Sequence, residues 1–216
     1  MATMTRGRFI AFEGGEGMGK STQAKLLVQA LERAGLTVRL TREPGGTPGA
    51  EAIRNLLLQP PGEGWGAQAE ALLFAAARAD HVARLIEPAL EAGEWVICDR
   101  FLDSSRAYQG QAGGIGDEAV RALHEIGSSG LLPDLTLVLS AGSSQVAARL
   151  RERDGEDADA IGGRSADYHA AVNAAFSRFA AEEPQRFAIV DGSGSIDEVR
   201  QRIMAEVETA FPGQVR

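Results

Sequence analysis

Eight residues near the N-terminus restrict the possible folds more than any other part of the chain. Residues 14–21 read Gly-Gly-Glu-Gly-Met-Gly-Lys-Ser and match the pattern G-x-x-x-x-G-K-[ST]. The apolar run of residues 9–12 precedes them, and Ala24, Leu27 and Leu31 follow at helical spacing. A glycine-rich loop between a strand and a helix lets backbone N–H groups and the helix N-terminus converge on phosphate groups. The sequence therefore predicts a phosphate-binding loop for a nucleoside triphosphate.

This loop and the end of a later strand predict contacts to ATP and Mg²⁺. Lys20 would reach the β- and γ-phosphates, and Ser21 would offer its hydroxyl to Mg²⁺. Asp99 follows the apolar run of residues 95–98, where a carboxylate can order Mg²⁺, and Arg100 beside it can point at an acceptor phosphate. The alternative is an Asp-Arg pair that only ends a strand. The residues predicted to bind ATP are Gly14, Gly15, Glu16, Gly17, Met18, Gly19, Lys20, Ser21 and Thr22, and those predicted to bind the metal are Ser21 and Asp99.

Short apolar runs alternate with stretches of helical periodicity along the whole chain. The runs cover residues 9–12, 37–40, 95–98, 135–139 and 187–190, and one of the helical stretches is predicted around Val146 and Leu150. Strands that are apolar on both faces and alternate with helices predict a parallel sheet covered on each side. We predict an α/β fold of the three-layer P-loop type, with about five strands, as a single domain over residues 1–216. Ligands should bind beyond the carboxyl ends of the strands.

Charge and composition exclude several classes of protein. The chain has 22 Lys and Arg against 30 Asp and Glu, a net charge of −8, which argues against a general nucleic-acid-binding surface. The apolar stretch near the N-terminus is too short for a signal peptide or a membrane span. The single cysteine, Cys98, excludes an internal disulfide and suits a reducing compartment. We therefore predict a cytoplasmic protein that acts on small molecules, without a membrane or nucleic-acid partner.

Several further segments resemble the successive signatures of bacterial thymidylate kinase, a nucleoside-monophosphate kinase family. They are Phe12-Glu13-Gly14 through Thr22, Thr41-Arg42-Glu43-Pro44-Gly45-Gly46-Thr47, Leu72-Leu73-Phe74-Ala75-Ala76-Ala77-Arg78, Asp99-Arg100-Phe101 and Ser104-Ser105-Arg106-Ala107-Tyr108-Gln109-Gly110. The second and last of these segments are far more specific than the phosphate-binding loop, which many unrelated NTPases share. The resemblance implies transfer of the γ-phosphoryl group of ATP to dTMP, giving dTDP for dTTP biosynthesis, by an enzyme that is typically a homodimer.

The resemblance also implies roles for individual residues. Phe74 would stack on thymine and Arg78 would bind its carbonyl edge, while Tyr108 would crowd the 2′ position and so favour deoxyribose. Arg100 would hold the acceptor phosphate, and Glu16 would face the acceptor sugar. The substrate-binding residues it implies are Arg54, Phe74, Arg78, Arg100, Ser105, Tyr108 and Gln109, and the catalytic residues are Glu16, Lys20, Arg100, Arg151 and Arg153. Phe74 and Tyr108 can also be explained as packing residues, and His81, His124 and His169 are interpreted as structural or solvated.

The resemblance is weakest in the predicted lid, roughly residues 149–167. Arg151 and Arg153 fit the lid arginines of the family, but Asp159-Ala160-Ile161-Gly162 stands where an Asp-Arg-aromatic-Glu run is usual. One lid arginine is therefore missing, or Arg164 takes its role. Ser140 also replaces the aspartate that often ends the preceding strand of the family.

Two other functions fit parts of the pattern. A kinase for another monophosphate shares the loop, although Phe74, Arg78 and the Ala-Tyr-Gln-Gly run favour thymine. A nucleotide-sensing P-loop module that binds without turnover is the second alternative. The guanine-reading N-K-x-D element is absent, since neither Lys20 nor Lys25 is followed two places on by aspartate.

Overall fold

In the computed structural model, which describes residues 5–140 and 164–215, five parallel strands form one sheet in the order β2-β3-β1-β4-β5. The strands are β1 (Phe9–Glu13), β2 (Val38–Arg42), β3 (Trp95–Asp99), β4 (Leu135–Ser140) and β5 (Phe187–Asp191). Central strand β1 pairs with β3 and β4, so that Phe12 lies opposite both Asp99 and Leu137. The carboxyl ends of β1 and β3 therefore meet at one edge of the sheet. The predicted α/β class and strand number are confirmed.

Helices connect these strands. They are α1 (Lys20–Arg33), α2 (Pro48–Leu58), α3 (Ala67–His81), α4 (Glu87–Glu91), α5 (Leu102–Ser105), α6 (Asp117–Ser128), α7 (Ala166–Glu182) and α8 (Ile196–Ala210). Local chemistry sets several of their ends. Thr47 caps α2 by accepting from the Ala50 N–H, and Ser195 and Glu198 form a capping box at α8. Gly35, with φ of 84°, follows α1 at the position where a left-handed glycine commonly ends a helix.

Alternate side chains of β1 point to opposite faces of the sheet and divide the core. Ile10 and Phe12 pack with residues of α1 and α8 on one face, whereas Phe9 and Ala11 pack with the segment that follows α3 on the other face. A third cluster joins Phe176 and Phe179 of α7 to Tyr108. Because both faces of the central strands are covered, the phosphate-binding loop projects from a rigid layer.

The two edge strands are less completely covered than a sheet covered on each side implies. Arg39, Leu40 and Arg42 of β2 are exposed, and Ile189 of β5 is 52% exposed. Each edge strand has only one neighbouring strand, so side chains along its outer margin reach solvent. Strand β2 also begins and ends later than the predicted run of residues 37–40.

Two π-helical segments were not predicted from periodicity. Val82–Ile86 continues α3 into α4, and Arg106–Ala112 continues α5. A π-helical turn displaces side chains from the 3.6-residue period, which hides it from pattern analysis. The predicted helix around Val146 and Leu150, together with Arg151 and Arg153, lies outside the described residues. Within the described ranges, no helix is both long and apolar enough to cross a membrane.

Candidate functional site

The phosphate-binding loop connects β1 to α1 at the centre of the sheet edge. Gly14 has a φ of 125°, and a Cβ there would lie 2.4 Å from the Leu139 carbonyl oxygen, so only glycine fits. Lys20 is buried, and its Nζ donates to the carbonyl oxygens of Gly14 (3.0 Å) and Gly15 (2.5 Å). Burial, and then the charge of Arg100, lower the pKa of Lys20 to about 8. The loop therefore presents glycine backbone and one cation to the same space.

Ser21 and Asp99 form the predicted metal pair. The Ser21 hydroxyl donates to Asp99 Oδ2, which brings the start of α1 against the end of β3. No group of three or more His, Cys, Asp or Glu side chains in the described part of the chain could hold a metal ion by itself. One hydroxyl and one carboxylate fit Mg²⁺, which usually takes few protein ligands and completes its octahedron with water and phosphate oxygens.

Arg100 lies directly after β3 and has a left-handed backbone, with φ of 70°. Its Nη2 donates to Glu16 Oε1 at 2.5 Å, and its Nη1 donates to Ser104 Oγ at 3.1 Å. The guanidinium carbon lies 5.1 Å from the centre of the Tyr108 ring. A non-glycine residue in this conformation costs energy that the surrounding contacts must offset, which is common at functional positions. The structure thus places Arg100, Glu16 and Tyr108 together beside the loop.

Glu13, a buried acid at the end of β1, holds the turn that carries Arg100. Its Oε1 accepts from the N–H groups of Phe101 (2.8 Å) and Ser104 (3.0 Å), and its Oε2 accepts from Ser104 Oγ (2.5 Å). Burial, and then the charge of Asp103, raise the pKa of Glu13 to about 7. The sequence analysis gave Glu13 no role. Its position between an apolar run and the loop, where a charge is unusual, was the available signal.

Phe74 and Arg78 lie one turn apart on α3, as their spacing predicts. Arg78 is 3% exposed, and its Nε donates to Glu43 Oε2 at 2.7 Å while its Nη2 donates to Ser105 Oγ at 2.8 Å. Phe74 is 9% exposed. The structure therefore brings Arg78 and Ser105 into contact, and it adds Glu43, which the sequence analysis did not assign.

The helical segment after α5 carries Tyr108 and Gln109. The Tyr108 side chain is buried, and its hydroxyl makes no hydrogen bond within the described residues. Gln109 Nε2 donates to Glu70 Oε1 at 2.8 Å, and Arg164 Nη2 donates to Glu70 Oε2. Arg164 also donates to the hydroxyl of Tyr168. Glu70 is a third acid, after Glu13 and Glu43, that was not predicted from the sequence, since an acid in the first turn of a helix is common for electrostatic reasons alone.

Arg54 extends from α2 to the loop after β2, where its Nη1 donates to the Pro44 carbonyl oxygen at 2.7 Å. The structure thus ties Arg54 to the Glu43-Pro44 turn.

Two cavities adjoin the phosphate-binding loop and share Met18, Gly19 and Thr22 as lining residues. One of about 340 Å³ is lined by loop residues together with Glu16, Lys20 and Arg100. The other, of about 240 Å³, lies between Thr22 and the segment after β5 that contains Gly192 and Ile196. The sequence analysis did not identify this second cavity because its two walls are more than 160 residues apart in the chain. The loop is therefore open to ligands at both cavities.

Comparison with known proteins gives consistent matches over nearly the whole chain. A family model described as thymidylate kinase matches residues 12–203. A thymidylate kinase of Rhizorhabdus wittichii is 55% identical over 206 residues, which cover 95% of this chain and 99% of that protein. One of Symbiobacterium thermophilum is 48% identical, with 96% of each chain covered. The crystal structure of thymidylate kinase from Ehrlichia chaffeensis superposes with a TM-score of 0.74 at 30% identity, covering 94% of this chain and 99% of that one.

Proposed function

The chain belongs to the thymidylate kinase family, and from that premise we propose how its residues bind ATP and dTMP and transfer the γ-phosphoryl group between them. The reaction converts dTMP to dTDP in dTTP synthesis. The observation that carries the assignment of roles is the convergence of Lys20, Arg100 and Glu16 on one cavity beside the phosphate-binding loop. The geometry favours neither another monophosphate substrate nor a non-catalytic sensor.

On the donor side, residues 14–22 hold the triphosphate of ATP. The N–H groups of the loop and the N-terminus of α1 bind phosphate oxygens, and Lys20 exchanges its carbonyl partners in the loop for the β- and γ-phosphates. Ser21 and Asp99 would hold Mg²⁺, which would neutralise negative charge on the phosphates of ATP. The cavity between Thr22 and the segment after β5 accommodates the nucleoside part of ATP.

On the acceptor side, Arg100 binds the phosphate of dTMP and Glu16 faces the sugar. The base lies on Phe74, with Arg78, Ser105 and Gln109 at its edge, while Tyr108 occupies the space that a 2′-hydroxyl would need. Arg54 supports this side through the turn after Glu43.

The transfer itself requires mainly alignment and electrostatic stabilisation. An oxygen of the dTMP phosphate forms a bond to the γ-phosphorus while the bond from that phosphorus to the bridging oxygen breaks and ADP leaves. The attacking phosphate is already anionic, so a general base is not needed. Lys20 and Arg100 stabilise the charge on the equatorial oxygens. The assignment of Arg151 and Arg153 to the same task is a proposal from the family resemblance.

A coupled assay of ADP release over a panel of monophosphates tests the function. With ATP and Mg²⁺, we expect dTMP to give the highest kcat/KM, followed by dUMP, with dCMP and purine monophosphates far below. A preference for another base would support the alternative kinase, and binding without ADP release would support a sensor.

We further propose a cytoplasmic homodimer with one domain per subunit. Three exposed apolar side chains, Leu56 (45%), Leu72 (56%) and Ile126 (85%), lie on α2, α3 and α6, and α3 contacts both of the other helices. Apolar side chains at this exposure on neighbouring helices favour burial against a second copy. Sedimentation velocity should give a dimer for the unmodified chain and a monomer for Ile126→Glu. The control Ile189→Glu changes an exposed isoleucine on β5 and should remain dimeric.

A further inference from the structure

A buried polar cluster links the end of β2 to α3. Glu43 is 5% exposed, and its Oε2 accepts a hydrogen bond from Arg78 Nε (2.7 Å). Its other carboxylate oxygen, Oε1, is hydrogen-bonded to His81 Nδ1 (3.0 Å). On its other side, His81 Nε2 lies 2.7 Å from Thr41 Oγ1. His81 is fully buried, and a Cβ at Gly46 would lie 2.5 Å from its ring, so the Gly46 backbone packs closely against the ring. Glu43 is therefore held on one oxygen and holds Arg78 with the other.

These contacts determine how the Arg78 guanidinium is oriented. Its Nε is bound to Glu43, and its Nη2 is bound to Ser105 Oγ (2.8 Å) and the Phe101 carbonyl oxygen (3.3 Å). Within the described residues, Nη1 makes no hydrogen bond. A guanidinium has five donors in a rigid plane, so fixing Nε and Nη2 also fixes the direction of Nη1. Nη1 is the part of Arg78 that remains to bind a ligand.

The pairing is electrostatically necessary as well as geometric. Arg78 is 3% exposed, and a buried guanidinium without a counter-charge is strongly destabilised. Burial alone would raise the pKa of Glu43, but Arg78 and His81 hold that pKa below its usual value. Glu43 is therefore an ionised partner of Arg78, which favours one rotamer of the arginine over others.

We infer that Glu43 is a positioning residue for base selection, because it aims Arg78 Nη1 at a carbonyl acceptor on the edge of the pyrimidine. This inference rests on the proposed role of Arg78 in base recognition. A donor fixed in direction binds the carbonyl oxygen of thymine or uracil. Opposite the exocyclic amino group of cytosine, the same donor faces a second donor, and no hydrogen bond forms. Selection for thymine or uracil over cytosine thus depends on how firmly Glu43 holds the guanidinium plane.

A double-mutant cycle between Glu43→Ala and Arg78→Met tests the inference, with kcat/KM measured for dTMP and dCMP at saturating ATP. We expect Glu43→Ala to lower the dTMP/dCMP ratio about tenfold, mainly through the KM for dTMP, because a hydrogen bond to a charged group is worth about that factor or more. In the Arg78→Met background, Glu43→Ala should not change the ratio further. The KM for ATP should stay within about twofold throughout.

Two further variants separate positioning from folding. Glu43→Gln should recover much of the ratio, since its amide oxygen can still accept from Arg78 while neutral His81 can accept from its amide N–H. If Glu43→Ala does not fold, judged by thermal unfolding, Glu43→Gln and Arg78→Met form the cycle instead, with a smaller effect and the same lack of additivity. The control Asp80→Asn removes a carboxylate on the same helix that binds Thr47 and Arg84, and should leave the ratio unchanged.

The possible outcomes distinguish the inference from the proposed function. If Arg78→Met keeps the dTMP/dCMP ratio of the unmodified chain, Arg78 does not read the base and the proposed site is wrong. If Arg78→Met lowers the ratio but a folded Glu43 variant keeps it, or if the two effects add fully, Glu43 does not position Arg78 and the inference is overturned.

Discussion

Arg100 and Glu16 are joined by a 2.5 Å hydrogen bond from Nη2 to Oε1, which connects the end of β3 to the interior of the phosphate-binding loop. The two residues are 84 positions apart in the chain, and their pairing depends on β1 and β3 being neighbours in the sheet. Arg100, which we propose binds the phosphate of dTMP, is thus paired with a carboxylate of the loop that we propose binds ATP.

Replacing Arg100 by methionine should lower kcat with dTMP by about 10²- to 10³-fold, the usual effect of removing one donor that stabilises developing charge. Because the ATP site keeps its loop, the KM for ATP should change little. Arg39→Met serves as the control, since Arg39 is exposed and pairs with Glu94 at the edge of the sheet. Steady-state kinetics with both substrates varied give the answer, and unchanged turnover would remove Arg100 from the mechanism.

Arg153→Ala tests the arginine assignment that comes from the family resemblance. A transition-state arginine contributes about 10³ to 10⁵ in rate, so kcat should fall sharply while both KM values stay within a few-fold. Arg178→Ala, which removes an exposed arginine of α7, should have no comparable effect. A loss confined to KM would contradict the assignment.

Glu13→Gln should lower dTMP turnover about tenfold. It should also raise the free energy of unfolding, relative to the unmodified chain, more at alkaline pH than at acidic pH. Burial raises the pKa of Glu13 from 4.5 to about 7, so the native state binds more protons than the unfolded state between these values. The contribution of Glu13 to stability is therefore lost as pH rises through 7. Measured by urea unfolding, the free energy of unfolding of the variant minus that of the unmodified chain should increase by roughly 2–3 kcal/mol from pH 5 to pH 8. An equal difference at both pH values would show that Glu13 does not titrate in this range.

His124 should make the fold sensitive to acid. Its Nε2 lies 2.7 Å from the Leu131 carbonyl oxygen, its Nδ1 is buried without a partner in the described part of the chain, and burial followed by the charge of Arg78 lowers its pKa to about 4. The unfolded state binds the extra proton between pH 6.5 and 4, so stability should fall as pH decreases through this window. His124→Gln should show a shallower decrease in urea unfolding, whereas the control His169→Gln should follow the unmodified chain. Parallel pH curves for His124→Gln and the unmodified chain would contradict this account.

Local pattern was enough to predict the sheet and the glycine-rich loop between β1 and α1. The loop of residues 14–21 could be recognised because its glycines, Lys20 and Ser21 act within a single strand–loop–helix unit. Arg78 and Phe74 could be paired because helical spacing places them on one face. The π-helical segment Arg106–Ala112 was not predicted, since its side chains follow a different period, and the exposure of β2 depends on its place at the edge of the sheet.

The sequence by itself therefore determined the fold class, the phosphate-binding loop and the family, because each rests on contacts between residues close in the chain or on a contiguous run of residue types. Only the tertiary structure decided the partners of the buried charges. Glu13 with Ser104 and Glu43 with Arg78 are separated by 91 and 35 positions, and they meet because parallel strand order brings distant loops to one edge. A buried charge must find a counterpart, but which one it finds is set by three-dimensional proximity, which residue type and spacing do not encode.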